Sequence, residues 1–71
     1  MTTQTITVVM NGEPTSLPPD ATVRTALDHL AADGRGMAVA INGEVAPRSL
    51  WDATPVAEGD VLEVLTVAQG G

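Results

Sequence analysis

Residues 5–17 read TITVVMNGEPTSL, and their pattern is that of a β-hairpin. Ile6, Val8 and Met10 alternate with Thr5, Thr7 and Val9, the period of a strand with one buried face. Asn11-Gly12 then supplies two residues that tolerate positive φ, which a two-residue turn needs if its twist is to match its strands. A second strand is expected directly after it. The same arrangement recurs at residues 37–48, MAVAINGEVAPR: Met37, Val39 and Ile41 alternate with Ala38 and Ala40, Asn42-Gly43 turns the chain, and Glu44 and Val45 begin a short return strand that Pro47 ends.

Between the hairpins the period changes. PPDAT (residues 18–22) breaks the strand pattern, and Thr22 can cap a helix by accepting from the exposed amides of its first turn. Val23, Ala26, Leu27, Leu30 and Ala31 follow at helical spacing and form one apolar stripe, with Gly34 placed to stop the helix. RSLWDATPV (residues 48–56) is too short for another helix and is expected to be a turn or 3₁₀ segment that lays Leu50 or Trp51 over the core. AEGD (57–60) is a turn, and VLEVLTV (61–67) is the last and longest strand.

The element order is ββαβββ. One helix covers one face of a sheet, and a long apolar strand arriving after two antiparallel hairpins belongs at the centre, beside the first strand. This predicts an α+β fold of the β-grasp type, a mixed sheet of about five strands with one helix packed on one face. The domain is expected to span residues 1–67, with residues 68–71 as a flexible tail ending in Gly-Gly.

Composition narrows the chemistry. The chain has 71 residues, enough for one small domain and no separate catalytic one. It has no Cys, so it offers neither a disulfide nor a thiol nucleophile, and its single His29 sits off the apolar stripe, where a solvated surface role is expected. No metal site and no bound cofactor are expected. Glu58 and Asp60 flank Gly59 as turn acids do. No Gly-rich phosphate loop is present, and no nucleophile with a positioned base can be assembled. Nine acidic residues against three Arg and no Lys give a net charge of -6, which repels nucleic acid and suits a partner with a basic face. The absence of Lys fits a compositional bias or avoidance of an amine that could attack an activated acyl group. Trp51 is the one aromatic residue, so stacking of bases or an aromatic cage is excluded. No apolar run reaches the length of a signal or membrane segment, and the chain is expected to be cytoplasmic and monomeric alone.

What remains is the ending, LTVAQGG. Two terminal glycines arise by chance in roughly 0.5% of chains at average glycine usage, so a use is favoured. Without Cβ atoms such a thread can enter a narrow channel in another protein and present its carboxylate there. A carboxylate is a poor acyl donor until a partner activates it, for example as an acyl adenylate. The activated carbonyl can then accept sulfur or an amine, and the tail alone does not choose. On the last strand, if Leu62 and Val64 face the helix, Glu63, Leu65 and Val67 face outward with Thr7, Val9, Ala38 and Ala40. Exposed apolar residues there suggest a partner interface made by Leu65, Val67, Val9 and Ala40. The competing expectation is that a twist or bulge returns Leu65 to the core. Trp51 is read as a lid on the aliphatic core rather than an exposed anchor, with Arg48 near it.

The residues AVAINGEVAPRSLWDATPVAEGDVLEVLTVAQGG (38–71) carry a resemblance: AINGE, VAPR followed three residues later by Trp51, EGD and the terminal GG stand in the order and spacing of the ThiS family, ubiquitin-like β-grasp sulfur carriers of thiazole formation in thiamine biosynthesis. Ala46 departs from the larger apolar residue expected there, which questions the local packing. The first half matches in length and pattern only. The resemblance implies that Gly71 is the natural end, approached through Ala68, Gln69 and Gly70. It implies a ThiF-like enzyme that uses ATP with Mg to adenylate Gly71, a persulfide donor that converts it to a thiocarboxylate, and thiazole synthase (ThiG) as the acceptor. The small subunit of molybdopterin synthase is the near alternative. A ubiquitin-like modifier and a non-covalent interaction module are further ones, and without Lys the modifier could not form lysine-linked chains.

Overall fold

In a computed structural model of the chain, residues 4–30 and 35–66 are described. The elements are β1 (Ile6–Met10), β2 (Glu13–Leu17), α1 (Val23–His29), β3 (Met37–Ile41), β4 (Glu44–Ala46), a 3₁₀ turn (Arg48–Leu50) and β5 (Val61–Thr66). The five strands form one sheet in the order β2-β1-β5-β3-β4. β5 is the longest and lies at the centre, parallel to β1 and antiparallel to β3. The expected fold is therefore observed.

Both tight turns have the expected backbone. Asn11 and Gly12 have φ of 52° and 85°, and Asn42 and Gly43 have φ of 51° and 88°. These turns set the registers Met10↔Glu13 and Ile41↔Glu44, and every pair further along each ladder follows from them.

Thr22 caps α1 as predicted. Its hydroxyl accepts from the Thr25 amide at 3.4 Å, and the Thr25 hydroxyl accepts in return from the Thr22 amide at 3.1 Å, a reciprocal box in which Thr takes the place usual for Glu. The next donors are satisfied from a distance. Val23 donates to the Thr54 carbonyl at 2.9 Å and Arg24 to the Trp51 carbonyl at 3.2 Å. The segment after the 3₁₀ turn thus closes the exposed start of the helix, and Val56 continues the tie by donating to the Ala21 carbonyl at 3.0 Å.

The apolar stripe is shorter than the spacing predicts. Val23, Ala26 and Leu27 are buried, whereas Leu30 is the C-cap residue and is 42% exposed. Ala31 and Gly34 lie outside the described residues. The physical reason is length: α1 makes about two turns, and its cap amide already bonds back to the Ala26 and Leu27 carbonyls. The core lies between α1 and one sheet face, with Val8, Met10, Leu17, Val39 and Leu62 from the strands meeting Val23 and Leu27.

Candidate functional site

Among the described residues no helix covers the other face of the sheet. Strand pairing fixes which residues share it, because partners in register project to the same side. Val61 of β5 lies opposite Val9 of β1, which in turn faces Pro14 of β2. Glu63 lies opposite Ala40, which faces Val45 of β4, and Leu65 lies opposite Ala38. Leu65 is 57% exposed, Val45 75% and Val61 42%, while Val9, Ala38 and Ala40 are half-buried.

The structure thus brings together Leu65, Val9 and Ala40 as the sequence predicts, and Leu65 points away from the core. No bulge returns it. Val67 and the tail residues Ala68, Gln69, Gly70 and Gly71 lie outside the described residues, as does the predicted boundary after residue 67. Sequence reading missed Val61 and Val45. The alternation that placed Leu65 outward also places Val61 outward, two pairs of residues earlier; Val45 needed the hairpin register. The face is a small apolar surface with one acid, Glu63, near its middle and Thr7 at its margin.

The polar residues singled out above are structural. Glu58 accepts from the Thr7 amide at 2.9 Å through Oε1, and Gly59 donates to the Thr7 carbonyl at 2.8 Å. Asp60 accepts from the Ala57 amide at 2.8 Å and from the Asn42 carboxamide at 3.1 Å. Both carboxylates therefore fasten the turn before β5 to its neighbours. Gly59, at φ 86°, supplies the left-handed position that turn requires. His29 is exposed in the last turn of α1. Among the described residues no three of His, Cys, Asp and Glu are grouped to hold a metal ion. An open depression of about 500 Å³ lies beside β4, walled by Val45, Ala46, Pro47, Thr54 and Pro55, and contains no such group either. No helix of the described chain is long and apolar enough to cross a membrane.

The spaced Pro, Arg and Trp form a lock. Pro47 starts the 3₁₀ turn, which carries Trp51 into the core, where it is 1% exposed. Its indole N–H donates to the Ala46 carbonyl at 2.8 Å, and the guanidinium groups of Arg24 and Arg48 each lie 5.4 Å from the ring centroid. Leu50, the other candidate for this position, is 51% exposed. Ala46, where a larger side chain was expected, is buried and packs within the core cluster. Trp51 is a lid and not an interface anchor.

Comparison with known proteins agrees with this architecture. The sequence profile of the ThiS family matches residues 3–71. A protein of Paramagnetospirillum magneticum named thiazole synthase is 36% identical over 64 residues; the match covers 90% of this chain, which spans about a fifth of that relative's length, 20%. The ycf40 protein of Porphyra purpurea, of uncharacterised function, is 27% identical over the full length of both chains. The crystal structure of the thiamine biosynthesis protein ThiS from Geobacter metallireducens superposes with a TM-score of 0.80 at 33% identity, covering 93% of this chain and 100% of that one. A solution structure of a thiamine biosynthesis protein from the same organism gives 0.73 at 33% identity, covering 93% and 88%. With the profile match over residues 3–71 and the structural superposition in agreement, the chain belongs to the ThiS family, the small sulfur carriers of thiamine biosynthesis.

Proposed function

We propose that the Gly71 carboxylate is the reactive group, that a ThiF-like partner adenylates it with Mg-ATP, and that the resulting thiocarboxylate gives its sulfur to thiazole synthase. The observation that carries this reading is that the family match runs through residue 71, so Gly70 and Gly71 are matched with the domain rather than appended to it. The chemistry divides cleanly. Carboxylate and ATP give acyl adenylate and pyrophosphate. Nucleophilic sulfur from a persulfide donor displaces AMP, and cleavage of the S–S bond by a thiol leaves the thiocarboxylate. Every catalytic group in these steps belongs to a partner, in keeping with the structural roles found for Glu58 and Asp60.

The folded part contributes recognition and aim. The surface around Leu65, Val61, Val9 and Ala40 docks the adenylating enzyme or thiazole synthase, while β5 delivers the tail. Support for thiazole synthase as the acceptor comes from the relative of that name, in which a segment similar to this chain belongs to the same polypeptide. The reaction is placed in the cytoplasm, where ATP is available.

The test is intact-protein mass spectrometry after incubation with a ThiF-type enzyme, Mg-ATP and a persulfide donor. Replacement of one oxygen by sulfur is expected, together with its disappearance in a chain lacking Gly71. An unchanged mass, with an enzyme that does modify its own carrier, overturns the proposal. Consumption of the product by thiazole synthase, but not by the large subunit of molybdopterin synthase, assigns the pathway.

A further inference from the structure

The two Asn-Gly turns are alike in sequence and backbone, yet their asparagines hold β5 at different places. Asn42 grips its start: the backbone amide donates to the Val61 carbonyl at 2.7 Å, the carboxamide oxygen accepts from the Val61 amide at 3.0 Å, and the carboxamide nitrogen reaches Asp60 at 3.1 Å. Asn11 grips it further along, toward the middle of the strand. Its backbone amide donates to the Leu62 carbonyl at 3.0 Å, and its side chain spans 53 residues of sequence to reach Val64 with both atoms. Oδ1 accepts from the Val64 amide at 2.9 Å and Nδ2 donates to the Val64 carbonyl at 3.3 Å.

The second grip has a distinct consequence because β1 stops short. The parallel ladder pairs Val9 with Val61 and Met10 with Leu62, and there β1 enters its turn. β5 continues to Thr66 with β3 beside it throughout, from Ile41↔Leu62 to Met37↔Thr66. On the β1 side the Asn11 carboxamide takes the place of one more peptide unit, a donor and an acceptor in the geometry of a ladder step. Val64 is the residue so held. Leu65, the most exposed large apolar residue of β5, comes next, and the chain then runs to Gly71.

We infer that Asn11 is a positioning residue: its carboxamide fixes β5 at Val64 and so holds the neighbouring Leu65 in place for the adenylating partner. This rests on the proposed role of Gly71. Without the clasp the end of β5 spends more time open, and a partner that requires it closed binds with an apparent affinity lowered by the competent fraction.

The test compares Asn11→Gly with Asn42→Gly. Each keeps a residue that accepts positive φ and each removes one carboxamide, so the turn survives in both and each loses a grip on β5. Two readouts are needed: amide hydrogen exchange along β5, and steady-state adenylation by a ThiF-type enzyme with the carrier as varied substrate. For N11G, exchange at Val64 is expected to accelerate about tenfold, and KM to rise about threefold to tenfold with kcat retained. For N42G, KM is expected to stay within about twofold of wild type while protection falls at Val61. Unchanged exchange at Val64 in N11G, unchanged KM, or an equal rise in both variants overturns the inference. A wild-type chain left unmodified by the enzyme overturns the proposed function and this inference together. A modified wild type with an indistinguishable N11G overturns this inference alone.

Discussion

Replacing Trp51 with Phe keeps an aromatic ring in the core and removes the indole N–H that bonds the Ala46 carbonyl at 2.8 Å. The bond is shielded from water, since Trp51 is 1% and Ala46 7% exposed. Losing a buried donor's bond costs about 1–3 kcal/mol. The smaller ring leaves a void of roughly 40 Å³, which at ~24 cal/mol per Å³ adds about 1 kcal/mol. The two guanidiniums at 5.4 Å lose part of their attraction to the ring face, a further few tenths of a kcal/mol at ~0.5–1 kcal/mol per exposed contact. The sum is about 2–4 kcal/mol, a large part of the ~4–10 kcal/mol expected for a domain of this length. The melting temperature should fall by roughly 10–25 °C. Because the variant has lost the only fluorophore, urea and thermal unfolding are followed by far-UV circular dichroism, with Trp51 emission as a second probe of the wild type. A W51F chain within about 0.5 kcal/mol of wild type would refute the account of this residue as a hydrogen-bonded lid.

Other substitutions probe other links. Thr22→Ala removes one side of the reciprocal cap and should destabilise the chain by about 1 kcal/mol in the same urea titration; no loss would mean that the Trp51 and Thr54 carbonyls close the helix start unaided. Gly43→Ala meets no atom within 4 Å, so its cost is backbone strain at φ 88° alone, about 1–2 kcal/mol by thermal melting. Leu65→Glu lies on the open face and should change stability by no more than about 0.5 kcal/mol, yet lower kcat/KM for adenylation or for sulfur transfer at least tenfold; unchanged kinetics in both reactions would remove this face from partner recognition.

Much of the fold was legible because its signals are local. Positive φ at Asn11, Gly12, Asn42 and Gly43 is what a type I′ turn requires and what Asn-Gly favours, and alternation on either side then dictates the strand faces. Leu30 shows the limit of periodicity: the stripe continues through it, but α1 has ended at His29 and Leu30 is 42% exposed. Periodicity records which residues could share a face and not how far the helix extends. The outward face was legible for Leu65 from parity alone, whereas Val45 joined it only through the β3–β4 register.

The sequence by itself determined the element order, the turn chemistry, the cap at Thr22 and the absence of any thiol, because each depends on residue type or on neighbours a few positions away. Its final Gly-Gly also motivates the proposed role of Gly71. Only the tertiary structure decided that Trp51 is a bonded lid, that Thr54 and Trp51 carbonyls close α1, that Glu58 and Asp60 are fasteners, and that Asn11 holds Val64. Each of these bonds outside the local turn joins residues brought together by the sheet and helix, in several cases from opposite ends of the chain. A hydrogen bond is specified by position to within a fraction of an ångström, and no local pattern carries that information until the sheet has set the register.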